Sequence, residues 1–395
     1  MRHAAFRSMI LALSFLVVVV LAAPVATQRT ESADAHVAHE RVLRINQLID
    51  DRISAREIPG AVSLVAIDGR IVHLEARGLL DLESKKPMPK NALFSLASLT
   101  KPVTAAAVLM LVEEGKVRLT DPVSRFIPEL KDLKVAITPS QRVPASRALT
   151  IRDLLTHTSG LVAPAQIPAE PTATLATHLP RFAAEPLEFQ PGSRWMYSNT
   201  VAFDTLARIV EIASGKPYDR FLRERIFEPL GMHDTGHVLG ADQRQRFARR
   251  YDVTPEGLKP FQRADPPTYF GGGWGLSSTA QDYARFAQML LNKGTLDGKR
   301  LLSQRAVELM GSAHIPDTLP GRQAGEGWGL GVRVITDGAL RNTWLSTGSF
   351  GWSGASGTHF WVDPAERLVA VFMASAPAAG LRPDFETAVM QALVK

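Results

Sequence analysis

The runs that read as strands lie at the two ends of the chain, and a long helical pattern separates them. AVSLVAI and IVHLEA, residues 61–67 and 71–76, flank Asp68-Gly69, a two-residue turn of the kind that closes a hairpin. Near the other end GLGVRVI (329–335), THFWVD (358–363) and LVAVFMA (368–374) have the same β-branched and aromatic character. From Ser98 to Phe270 the period changes to that of helices, with VAFDTLARIVEIASG and YDRFLRERIF as amphipathic segments that end at Gly or Pro. A helix over residues 37–55, stopped by Ile58-Pro59-Gly60, precedes the hairpin, and PDFETAVMQALV closes the chain. The expected fold class is therefore α/β, a sheet-bearing domain with a helical insertion.

The chain has 395 residues, 45% of them hydrophobic and 21% charged, enough apolar material for one large domain or two medium ones. It contains no cysteine, which excludes a disulfide scaffold, a thiolate nucleophile, a Cys-ligated zinc site and an iron–sulfur cluster. The N-terminus has a basic start, an apolar run from Met9 to Ala23 and small residues after it, the layout of a secretory signal over residues 1–26. That apolar run is shorter than the roughly 20 residues that span a bilayer, so membrane contact is expected only through an uncleaved signal anchor. The mature protein is expected to be exported, periplasmic or secreted. The formal charge is +6, or +4 once Arg2 and Arg7 leave with the signal. The densest basic cluster, Arg244, Arg246, Arg249 and Arg250, reads as a solvated face, and no nucleic-acid partner is expected.

Three short motifs carry chemistry. Ser98-Leu99-Thr100-Lys101 stands where a long apolar helix begins, so Ser98 reads as the N-cap. Three residues apart on a helix, Ser98 and Lys101 face one another, and the helix N-terminus favours an alkoxide-like nucleophile and a developing oxyanion. Tyr197-Ser198-Asn199 lies just ahead of an amphipathic helix. A phenol, with an ordinary pKa of about 10, acts as a base only beside a cation, and Lys101 could supply that charge. Asn199 offers a donor and an acceptor to a substrate carbonyl or to Lys101. Phe350-Gly351-Trp352-Ser353-Gly354-Ala355-Ser356-Gly357-Thr358 precedes the strand HFWVD, and its glycines let a substrate approach the main chain.

Taken in this order, S-x-x-K, Y-x-N and W-x-G resemble the motifs of the serine β-lactamase and penicillin-binding-protein superfamily. The likeness is strongest to its class C β-lactamase-related branch, including the family VIII carboxylesterases, because the middle motif is Tyr-x-Asn. LTIRDLLTHTSGL, PLGMHDTG and GGGWGLSSTAQDYARF resemble that family too, so the likeness spans about Ile58 to Ala374. The resemblance implies an antiparallel sheet flanked by helices (residues 27–97 and 271–395), joined to a mostly helical domain (98–270), with the active site at the interface. It implies Ser98 as nucleophile, Lys101 and Tyr197 sharing the proton traffic, and Asn199, Trp352, Ser353 and Gly354 binding substrate. The amides of Ser98 and Ala355 would form the oxyanion hole. No cofactor and no metal are called for.

Other candidates carry less. Gly351-Trp352-Ser353-Gly354-Ala355 misses the G-x-S-x-G nucleophile elbow at its last position, and Ser353 reads as a strand residue. His157 falls in a segment that the resemblance makes a structural turn. His233 and His237 are separated by turn-like sequence, and the Gly271–Gly273 run lacks the remainder of a phosphate loop. The partner expected is a small-molecule ester or amide. A short-chain carboxylesterase, a β-lactamase or D-amino-acid peptidase on the same site, and a non-turnover cell-wall binding protein are the three readings. Retention of serine, lysine and tyrosine together argues against the last.

Overall fold

The computed structural model describes residues 38–161, 170–262 and 268–394. The signal-like residues 1–26 lie outside them. Helix α1 (His39–Ser54) leads into β1 (Gly60–Ile67), β2 (Arg70–Asp81), and the short β3 (Lys86–Pro87) and β4 (Phe94–Ser95). Then come α2 (Thr100–Glu113), α3 (Ile151–Leu155), α4 (Val201–Ser214), β5 (Ser277–Ser278) and α5 (Ala280–Leu291). The final run is β6 (Glu326–Trp328), β7 (Arg333–Ile335), β8 (Phe350–Gly354), β9 (Thr358–Asp363), β10 (Leu368–Ala374) and α6 (Leu381–Met390).

The strands from both ends join in one antiparallel sheet of order β6-β7-β8-β9-β10-β1-β2-β3. Asp68 and Gly69 both have positive φ (53° and 76°), the two-residue geometry that matches strand twist, and the β1–β2 hairpin forms where expected. The first and last long strands are direct neighbours, paired from Ala61↔Ala374 to Ile67↔Leu368. Within β1 the alternation is strict: Val62, Leu64 and Ala66 enter one core, whereas Ala61, Val65 and Ile67 enter another. Helices α1 and α6 cover the second face, and α5 packs on the first. With both faces covered, β1 and β10 can be apolar at nearly every position. Each Val or Leu so buried contributes about 1.5–3 kcal/mol.

Helix α2 is buried at every position from Thr100 to Leu111, which makes it the axis around which the helical half packs. The region whose pattern reads as helical, from Ser98 to Phe270, also holds two small hairpins, Lys134–Ala136 with Arg142–Pro144 and Tyr251–Thr254 with Gly257–Pro260. Their strands are too short for a hydrophobic period to register; the Pro255-Glu256-Gly257 turn was the legible signal for the second.

Candidate active site

Ser98 lies in a 3-10 turn, Ala97–Leu99, and α2 proper starts at Thr100. The expected capping role is thus corrected: no side chain caps α2, and the serine hydroxyl turns instead toward Lys101, whose Nζ stands 3.2 Å from Oγ. The preceding Ala97 has φ 46°, a left-handed conformation that a non-glycine residue adopts only when its surroundings impose it. Those surroundings are explicit. β4 pairs with β5, Leu96 N–H donates to the Leu276 carbonyl (2.8 Å), and Tyr283 Oη donates to the Leu99 carbonyl (2.7 Å). From the sheet side Ser356 Oγ donates to Ser95 O (2.5 Å) and Thr358 Oγ1 to Leu96 O (3.1 Å). Gly354 is required here, because a Cβ would stand 2.2 Å from Leu96 O. The β8–β9 turn carrying the exposed Ala355 is thereby seated on the residues that lead into Ser98.

Lys101 is wholly buried. Besides Ser98, its Nζ donates to the carbonyls of Asn199 (2.5 Å) and Gly273 (2.9 Å), and it lies 4.9 Å from the centre of the Tyr197 ring. The Tyr197 oxygen meets a different partner: it accepts from Trp352 Nε1 at 3.0 Å. The indole's one donor is spent on the phenol, while its ring packs on Tyr197 (5.1 Å) and edge-on against Trp328 (4.5 Å). Asn199 contributes its carbonyl to Lys101, and its side chain is exposed.

Ser353 requires a correction. Successive residues of a strand face opposite sides, so with Trp352 on the Tyr197 side Ser353 faces away, across the ladder from His359. Its hydroxyl meets His359 Nδ1 at 2.9 Å. His359 Nε2 stands 3.1 Å from Glu386 Oε1, which also takes the Arg333 guanidinium at 2.9 Å. Burial holds the imidazole pKa down; His359 and Arg333 hold Glu386 well below the usual carboxylate range against burial. The Ser353 side chain therefore belongs to the contact with α6. Besides the Trp352 indole, what β8 presents to the site is backbone: β7 pairs with it only at Phe350 and Gly351, so among the described residues the edge from Trp352 to Gly354 has no strand partner on that side.

Sequence reasoning missed five contributors. Gly273, read as part of an idle glycine run, supplies a carbonyl to Lys101, and Gly272 must lack a side chain because a Cβ would stand 2.2 Å from the Phe203 carbonyl of α4. Asp204, fully buried in α4, accepts from Gly273 N–H (3.0 Å) and Tyr269 Oη (2.9 Å), which fixes the loop that reaches Lys101. Burial raises its pKa, opposed by those hydrogen bonds and by the Lys101 charge. An aspartate on the apolar side of VAFDTLARIV was the readable signal. Trp328 donates to the Leu155 carbonyl (3.1 Å) and backs Trp352. His157, read as a turn residue, is buried against Tyr197 (4.5 Å between ring centres). His237 is committed to the Gly271 carbonyl (3.2 Å), and among the described residues no group of three His, Asp or Glu side chains could hold a metal ion.

The Beta-lactamase family model matches residues 45–392. Protein Rv1367c of Mycobacterium tuberculosis (strain ATCC 25618 / H37Rv) is 36% identical over 345 residues, covering 80% of this chain and 85% of that protein. Esterase EstB of Burkholderia gladioli is 31% identical over 390 residues, covering 89% of this chain and 94% of that protein. Among solved structures, EstCE1, a hydrolase with promiscuous acyltransferase activity, aligns with a TM-score of 0.77 at 26% identity, over 89% of this chain and 99% of its own.

Proposed function

The chain belongs to the Beta-lactamase family of serine hydrolases, and from that premise we propose that it hydrolyses short-chain carboxylic esters through an acyl-enzyme on Ser98. The observation that carries this reading is the set of contacts at Lys101 Nζ. Two of its three partners are carbonyl oxygens, which only accept and so claim two N–H groups. In the neutral amine the remaining position is a lone pair, and it faces Ser98 Oγ. Lys101 then takes the hydroxyl proton as Oγ bonds to the substrate carbonyl carbon. As the tetrahedral intermediate collapses, the C–O bond to the alcohol breaks and the alcohol leaves with a proton delivered by the Lys101–Tyr197 pair. In deacylation the same pair takes a proton from water, whose oxygen bonds to the acyl carbon, and Ser98 regains its hydrogen. The amides of Ser98 and Ala355 are the donors proposed for the oxyanion, and losing one such donor typically costs about 10²- to 10³-fold in rate.

The preference for uncharged acyl groups rests on Trp352. An indole brings no positive charge, and its single N–H is already given to Tyr197. A substrate carboxylate brought there would lose water without gaining a cation, a penalty of roughly 2–5 kcal/mol, whereas an alkyl or aryl group packs on the ring. The open backbone edge of β8 is where the acyl portion would dock. The same reading has residues 27–97 and 271–395 as one domain and 98–270 as the other, and residues 1–26 as an export signal. Comparing kcat/KM for p-nitrophenyl butyrate and nitrocefin tests it. The ester should be turned over with the higher value. An equal or higher value for nitrocefin would replace the esterase with a β-lactamase, and no turnover of either by folded protein would favour a binding protein.

A further inference from the structure

His157 follows α3 in a turn, with φ 56°. A left-handed backbone at a non-glycine residue persists only where neighbours over-determine it, and His157 is fully buried. It makes two bonds to one short segment. Its carbonyl accepts the N–H of Met196 (3.0 Å), and its Nδ1 accepts the N–H of Ser198 (3.0 Å). These are the two amides on either side of Tyr197. The imidazole also stacks at a tilt on the Tyr197 ring and touches Phe203 and Trp328, at 4.5, 5.2 and 4.8 Å between ring centres.

For Nδ1 to accept, the ring must be neutral with its proton on Nε2. Burial, and then the Lys101 charge, push the imidazole pKa well below its ordinary value, which keeps it so. The Nε2–H finds no acceptor among the described residues. A buried donor left unpaired is unfavourable, and an apolar residue would avoid it; what an apolar residue lacks is the Nδ1 acceptor.

We propose that His157 is a positioning residue of the Ser98 site, clamping the two amides that flank Tyr197 and so fixing the phenol oxygen relative to Lys101 and Ser98. This rests on the reading of Tyr197 as a proton-transfer group. Small displacements of such a group can cost about 10²-fold, so the clamp acts on turnover and leaves substrate binding alone.

The test is a double-mutant cycle on the full chain with p-nitrophenyl butyrate, with amide hydrogen exchange followed over residues 196–199. Asn places an acceptor near the Nδ1 position and tolerates positive φ, so His157→Asn should keep kcat within about threefold and keep exchange protection. His157→Leu should lose about 10- to 100-fold in kcat with KM within about twofold, and lose protection at the Ser198 amide, whose acceptor is Nδ1. In a Tyr197→Phe background the Leu substitution should add less than about threefold. A full Leu effect in that background, an Asn variant as impaired as the Leu variant, or unchanged protection in His157→Leu would each overturn the clamp. If His157→Leu fails to fold, His157→Gly, which is free of the backbone strain, takes its place with the same expectations. Full activity of Tyr197→Phe alone would refute the proton-transfer reading of Tyr197, while the exchange data would still decide whether the clamp exists.

Discussion

Replacing Trp352 with Phe removes a single donor from the Tyr197 oxygen and leaves an aromatic ring in its place. The N–H···O bond it deletes is 3.0 Å long. If that oxygen stays neutral throughout the reaction, the lost bond is worth about 0.5–1.5 kcal/mol, or about 2- to 13-fold in kcat/KM. If the oxygen carries negative charge in the transition state, the bond is charge-assisted there and worth about 1.5–3 kcal/mol, or about 13- to 160-fold. The second case is expected, because Lys101 Nζ, 4.9 Å from the centre of the Tyr197 ring, becomes an ammonium once it has taken the Ser98 proton. Steady-state hydrolysis of p-nitrophenyl butyrate, with a thermal melt to confirm folding, measures the loss. A Trp352→Phe variant within twofold of the parent would refute a charged role for Tyr197 and leave the indole as packing alone.

Ser98→Ala should abolish turnover and fluorophosphonate labelling seen by intact mass, with stability changed by less than about 1 kcal/mol because the hydroxyl caps no helix; retained turnover would end the assignment. Gly272→Ala should lower the melting temperature and kcat together, since its Cβ would stand 2.2 Å from the Phe203 carbonyl in the loop that carries Gly273; an unchanged melt would contradict the packing. Burial holds His73 and His237 at about 4, below the ordinary histidine value of 6.5, so the unfolded chain takes up more protons as pH falls below 6.5. Each histidine should therefore remove roughly 2 kcal/mol of stability between pH 7.5 and 5, a loss complete only below about pH 4; urea unfolding that shows greater stability at pH 5 would have the wrong sign.

The parts of this fold that could be read in advance are those written locally. Asp68-Gly69 specifies its turn within two residues, and Ser98 with Lys101 specifies a face of one helical turn. Lys101 shows where local reading stops, because its other partners lie 98 and 172 residues away and both are main-chain oxygens, which no side-chain pattern marks. Asn199 was singled out for an amide that is exposed, whereas its carbonyl does the contacting. Ser353 failed for a related reason: the motif identifies a strand, but which face each residue takes depends on what packs there, and His359 and Glu386 come from β9 and α6. The cap expected of Ser98 gave way because the clamps on residues 95–99 hold the backbone in a tighter turn than a capped helix start.

The pairing of β1 with β10 has a kinetic consequence. These two adjacent interior strands are separated by some three hundred residues of chain, and the helices α1 and α6 that cover them are the first and last helices of the described residues, joined where Ala38 N–H meets the Ala392 carbonyl. Until Ala374 has been synthesised, the inner edge of the β1–β2 hairpin has no neighbour, and nothing upstream can complete the sheet. Closing so long a loop before any of its contacts repay the lost entropy makes for slow folding. Assembly of the Ser98 site, which draws on α2, the start of α4, the glycine loop and β8, therefore waits for the last strand, and a chain truncated ahead of β10 forms neither the sheet nor the site.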